Sequence, residues 1–99
     1  MMPSWAKALI NWSPPPGGRI PPGPVYSTPA RFEKHRDRWP DEAWSIVAEF
    51  AEPVRADGSV LVRLRFLADE APKELLAPGG KFDLFEGDTL IGSGAILAE

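Results

Sequence analysis

The stretch VLVRLRFL, Val60 to Leu67, decides the fold. Val60, Val62, Leu64 and Phe66 fall on one side of it, Arg63 and Arg65 on the other. Period-two alternation of β-branched, aliphatic and aromatic residues against arginine is the pattern of a half-buried strand. Immediately before it, Ala56-Asp57-Gly58-Ser59 carries turn chemistry, because glycine tolerates the positive φ that tight hairpin turns demand. WSIVAEF, Trp44 to Phe50, supplies a partner upstream, so residues 44–67 predict a β-hairpin.

Downstream, APKELLAPGG is a proline- and glycine-rich connection with one short helical turn at Lys73 to Leu76. KFDLFEG and TLIGSGAIL, Lys81 to Gly87 and Thr89 to Leu97, follow as two strands about a turn at Glu86-Gly87-Asp88. Gly92 and Gly94 share one face of the last strand, where a glycine marks a sharp bend or a close backbone approach. Upstream of the hairpin, a first strand runs from Trp5 to Trp12 and a further extended segment from Tyr26 to Phe32. Five or six strands and no long helix predict an all-β fold, a small closed antiparallel barrel of about six strands, since closure removes the edges a flat sheet exposes.

Composition agrees with one globular domain over residues 1–99. The chain is 43% hydrophobic and 25% charged, with 12 prolines and 9 glycines that point away from helices. It has no cysteine, which excludes disulfides, zinc-thiolate sites, iron–sulfur clusters and thiol nucleophiles. The apolar run in MMPSWAKALINW is broken by Lys7 and Asn11, too short and too polar for a secretory leader or a membrane span, so the expected location is cytoplasmic with no membrane partner. Residues 1–39 hold six Lys/Arg against two acids, and residues 40–99 hold five against twelve, giving +4 and −7 within the total of −3. A basic face is compatible with that asymmetry; a protein devoted to coating nucleic acid is not.

Enzyme signatures are absent. PGGKF, Pro78 to Phe82, has Phe82 where a phosphate loop needs Ser or Thr, and Leu75 where its first glycine belongs, so it reads as a turn. Gly92-Ser93-Gly94 lacks the third glycine of a dinucleotide fingerprint and a following helix. His35, the single histidine, sits among Lys34, Arg36 and Arg38, with neither companion ligands nor a buried acid in view. The acid pairs Asp41-Glu42 and Asp69-Glu70 fall in loops. The expectation is no catalysis, no metal, no cofactor and no nucleotide.

Two stretches remain as binding candidates. RFEKHRDRW, Arg31 to Trp39, lies in a charged loop over residues 31–43, and its Arg31, Arg36 and Arg38 with Trp39 could set guanidinium groups on phosphates and a ring beneath a base. PPPGGRIPPGP, Pro14 to Pro24, contains a PxxP pattern beside Arg19 that aromatic grooves read as polyproline II.

Taken in order, Gly17-Gly18-Arg19 after an opening strand, Pro21, Tyr26, the turn at Pro78-Gly79 and the closing FDLFEGDTLIGSGAIL resemble the C-terminal β-barrel domain of elongation factor Tu. Phe82, Leu84, Glu86, Gly87, Ile91, Gly92, Gly94 and Ile96 match that family's final strands. The resemblance implies a stand-alone six-stranded barrel without the GTPase domain, with residues 14–24 as the connection after the first strand. It also implies that Arg19 and Gly87 occupy the family's tRNA-contacting positions. The chain departs from the family at Ile20, Phe85 and Asp88-Thr89, which removes two positive charges and adds a negative one where phosphates would meet the barrel. The expected function is therefore a non-enzymatic binding module for an unidentified protein partner in a small bacterial accessory protein. Backbone binding of tRNA or another RNA through Arg19 and the Arg31–Arg38 loop is the alternative. Phe85 and Trp39 read either as exposed partner contacts or as barrel plugs and loop anchors.

Overall fold

A computed structural model of the chain describes residues 5–21, 23–34 and 43–98. Six strands, β1 (Ala6–Trp12), β2 (Val25–Phe32), β3 (Trp44–Phe50), β4 (Ser59–Phe66), β5 (Lys81–Glu86) and β6 (Thr89–Ile96), close into an antiparallel barrel in the order β1-β4-β3-β2-β5-β6. The hairpin expected at residues 44–67 is β3 and β4, paired from Ile46↔Phe66 to Phe50↔Val62. A 3-10 turn covers Lys73–Leu76. Arg31 and Phe32, where the expected extended segment Tyr26 to Phe32 and the charged loop 31–43 overlapped, end β2, paired with Asp83 and Phe82.

Alternation fixes the wall. Ile10, Ile46, Val60, Leu64 and Leu84 point inward and are fully buried, while their neighbours Leu9, Arg63, Arg65 and Asp83 form the outer surface. Both ends are plugged by connections. At the end where β1 stops, Ile20, Tyr26, Phe50 and Val54 pack against the core; at the far end, Trp44, Ala71, Leu75 and Leu76 do. The described residues of PPPGGRIPPGP thus form a structural connection, with Ile20 packed on the core at the barrel mouth. Its Pro21 is buried, which withdraws the motif from any polyproline-reading groove.

The seam between β2 and β5 is the irregular one. Their ladder stops at Ala30↔Leu84, and β5 slips against β6 between Leu84 and Phe85. Continuing the register would set Pro29 opposite Phe85, and a proline has no N–H to give. The buried Thr28 hydroxyl donates to the Phe85 carbonyl instead, and one step further the Tyr26 hydroxyl donates to Glu86 Oε2 at 3.0 Å. Thr28→Val keeps the shape but leaves that carbonyl unsatisfied, so it is expected to cost about 1–3 kcal/mol in urea denaturation; a neutral result would mean that water replaces the hydroxyl.

Tyr26 also gives the seam a pH dependence. Burial, followed by the hydrogen bond to Glu86 and its negative charge, raises the phenol pKa above the ordinary value. The unfolded chain therefore loses this proton first, and stability falls as pH rises beyond about 10. Denaturation midpoints measured across that range should fall more steeply for the parent than for Tyr26→Phe, and equal slopes would remove Tyr26 as the cause.

Candidate binding surface

The barrel separates the residues singled out from the sequence. The connection carrying Arg19, over residues 13–24, and the turn carrying Gly87 lie at one end, since β1 and β5 both finish there and β2 and β6 both start there. Arg19 is exposed and, among the described residues, has no ion-pair or hydrogen-bond partner. Gly87 holds φ +62° in its turn, with open space where a Cβ would stand. Arg31 lies near the opposite end, on the outer wall. Strand order therefore sets Arg19 and Arg31 toward opposite ends of the barrel. His35, Arg36, Arg38 and Trp39 lie outside the described residues.

Phe85 corrects an expectation. It is 8% exposed and is neither a surface contact nor part of the central core cluster. Its ring lies on the outer wall beneath the Arg31 guanidinium, 5.0 Å from the ring centroid, and Arg31 Nη2 donates to Asp83 Oδ2 at 2.7 Å. The Arg31–Asp83 pair and the slip between Leu84 and Phe85 together seat the ring. Leu90, its cross-strand neighbour, is 46% exposed and is the open apolar side chain beside the Glu86-Gly87 turn.

Turns that resembled nucleotide loops spend their amides on the fold. Gly79 N–H bonds the Ile96 carbonyl at 2.8 Å, and Gly80 N–H bonds the Ala77 carbonyl at 3.1 Å, so neither is available to cradle a phosphate. Asp57 accepts from the Ser59 amide at 3.0 Å and from its hydroxyl at 2.7 Å, which holds its carboxyl below the ordinary range and ties it to the β3–β4 turn. No group of three or more His, Asp or Glu that could hold a metal occurs among the described residues.

What the wall does offer is a groove of about 320 Å³ across β1, β6, β5 and β2, with Leu9, Ala95 and Leu97 toward one side, Asn11 and Ser93 beyond them, and Arg31, Lys81 and Asp83 opposite. Its apolar side continues beyond the groove: Leu9 faces Leu61 of β4 and Ala95 of β6, so three half-buried apolar side chains run in one row across three adjacent strands.

One register step away the row is cationic. Lys7 of β1 stands directly opposite Arg63 of β4, and Arg65 follows two residues along β4. Arg63 pairs with Glu49, whereas Lys7 and Arg65 have no carboxylate partner among the described residues. Trp5, just ahead of β1, holds both guanidinium groups against its ring, at 4.8 Å for Arg63 and 5.1 Å for Arg65. Sequence reading assigned Trp5, Leu9 and Arg63 to strands and overlooked this grouping, because the β1–β4 pairing that creates it joins segments more than fifty residues apart. Comparison with family models, with curated proteins and with solved structures gave no match.

Proposed function

We propose that this barrel is a non-enzymatic protein-binding module and that its docking surface is the outer wall of β4, β1 and β6. The observation that carries the reading is the apolar row Leu61–Leu9–Ala95 opening into the 320 Å³ groove, since a continuous apolar strip bordered by charge is the composition of a partner-binding patch. The resemblance to the C-terminal barrel of elongation factor Tu belongs to the same proposal, because in that protein the barrel packs against its neighbouring domains. A cytoplasmic, bacterial setting belongs to it too; among the described residues no helix is long and apolar enough to cross a membrane.

RNA binding through Arg19 has one observation in its favour, the shared end of the Arg19 connection and the Gly87 turn. Asp88 and Glu86 sit in or beside that same turn, which weakens its attraction for phosphates. Leu9→Asn tests the primary reading. It places a polar, uncharged side chain in the apolar row without touching the core, so the variant should melt like the parent yet lose partner capture from lysate, by about tenfold or more for a hot-spot contact. Undiminished capture would move the site elsewhere.

A further inference from the structure

The wall that forms the proposed docking surface holds its cations at a cost. Lys7 and Arg63 are direct cross-strand partners, an arrangement in which like charges repel, and Arg65 adds a third cation two residues on. Of the three, Arg63 alone has a carboxylate, Glu49, among the described residues. In a chain of net charge −3, these three cations and Glu49 leave, among the described residues in these pairings, an excess of two positive charges beside an apolar row. A barrel needs no such cluster for closure: any pair of polar side chains would serve on an outer wall.

Resting on the docking reading above, we propose that the partner segment is an acidic, extended peptide whose carboxylates sit on Lys7, Arg63 and Arg65 while its apolar side chains cover Leu61, Leu9 and Ala95. Three features of the wall select this occupant. Lys7 and Arg63 form a cross-strand pair one row from the apolar row, and Arg65 continues from Arg63 along β4 on the side away from it, so an extended peptide with acidic and apolar positions meets both sets. Trp5 holds the Arg63 and Arg65 guanidinium groups over its ring, at 4.8 and 5.1 Å from the centroid, which keeps two long side chains in one place and reduces the ordering cost of each contact. A nucleic-acid strand would match the cations but has no aliphatic group for the Leu61–Leu9–Ala95 row. Electrostatic complementarity of this kind sets partner choice and association rate more than total affinity.

The test is fluorescence anisotropy of a short labelled peptide alternating glutamate with leucine, titrated with the intact protein. Three probes run beside it: the same peptide with glutamine for glutamate, the same with lysine for glutamate, and a single-stranded oligouridylate. The glutamate–leucine peptide is expected to bind, with the glutamine peptide about tenfold weaker and the lysine peptide weaker still. Lys7→Glu and Arg65→Glu should each weaken the acidic peptide by about tenfold and strengthen the lysine peptide, a charge-swap rescue that a merely destabilised variant would not give. Thermal melts of both variants confirm folding.

Equal binding of the glutamine and glutamate peptides overturns the acidic-partner inference while leaving the docking surface in place. Acidic-peptide binding undiminished by Leu9→Asn overturns the docking reading itself. Binding of oligouridylate as tight as that of the acidic peptide, or no binding of the acidic peptide at millimolar concentration, overturns the inference.

Discussion

Gly94→Val is expected to remove about 3 kcal/mol of stability, the upper end of what forcing methyl groups into a packed interior costs. For a domain of this size that lowers the melting temperature by roughly 12–24 °C. Gly94 pairs with Phe82 on one side and Ile10 on the other, at the place where β6 turns between two neighbours. A Cβ there would stand 2.5 Å from Phe82 Cζ and 2.9 Å from the Leu9 carbonyl oxygen. Neither can retreat. The Leu9 carbonyl belongs to the β1 backbone, and the Phe82 ring is 2% exposed, with Phe32 at 5.4 Å behind it. Circular-dichroism melts decide the matter: a variant melting within a few degrees of the parent would mean that the strand shifts to make room. Phe82→Leu in the Gly94→Val background should recover part of the loss, since the two positions share one space.

Gly94 also shows why so much of this fold was legible in the sequence. A glycine inside a period-two strand has few explanations, and close approach at a barrel bend is one that local pattern alone can offer. The same holds for VLVRLRFL, where alternation names the buried face directly, and for the turn at Asp57-Gly58, where Gly58 takes φ +87°. The surface was less legible. Phe85 falls next to a turn and opposite an exposed Leu90, so the sequence offers no sign that Arg31, fifty-four residues earlier, covers its ring. Arg31 itself reads as part of a basic run because its neighbours along the chain are charged, although its partners in space, Asp83 and Phe85, lie on another strand. The cationic row at Lys7, Arg63 and Arg65 is hidden for the same reason. Strand register assembles it, and register depends on the whole closed sheet.

Phe32→Ala is expected to be the most damaging single truncation, at about 4 kcal/mol. Phe32 closes β2 at the far end and is 3% exposed. Its ring stands 5.4 Å from both Phe66 and Phe82, and Phe66 in turn meets Trp44 edge-on at 6.5 Å. Removing the central ring of this chain leaves a cavity bounded by two rigid aromatic side chains and a closed barrel wall, which cannot collapse to fill it. Each aromatic pair lost adds to the transfer term, by about 0.5–1.5 kcal/mol. Against a total stability of about 5–15 kcal/mol for a domain like this one, the variant sits close to the edge of folding. Phe32→Leu, which keeps most of the volume, should cost less than about 1.5 kcal/mol. Urea denaturation separates the cases: a lowered midpoint at unchanged slope is the expected signature of a cavity, whereas a reduced slope would mean that the far end is already loosened in the folded state. Phe32 lies inside the barrel, while Lys7, Arg63 and Arg65 lie on its outer wall. Below its melting temperature the alanine variant should therefore still bind the acidic peptide, and a loss of binding there would show that the wall depends on this aromatic chain for its shape.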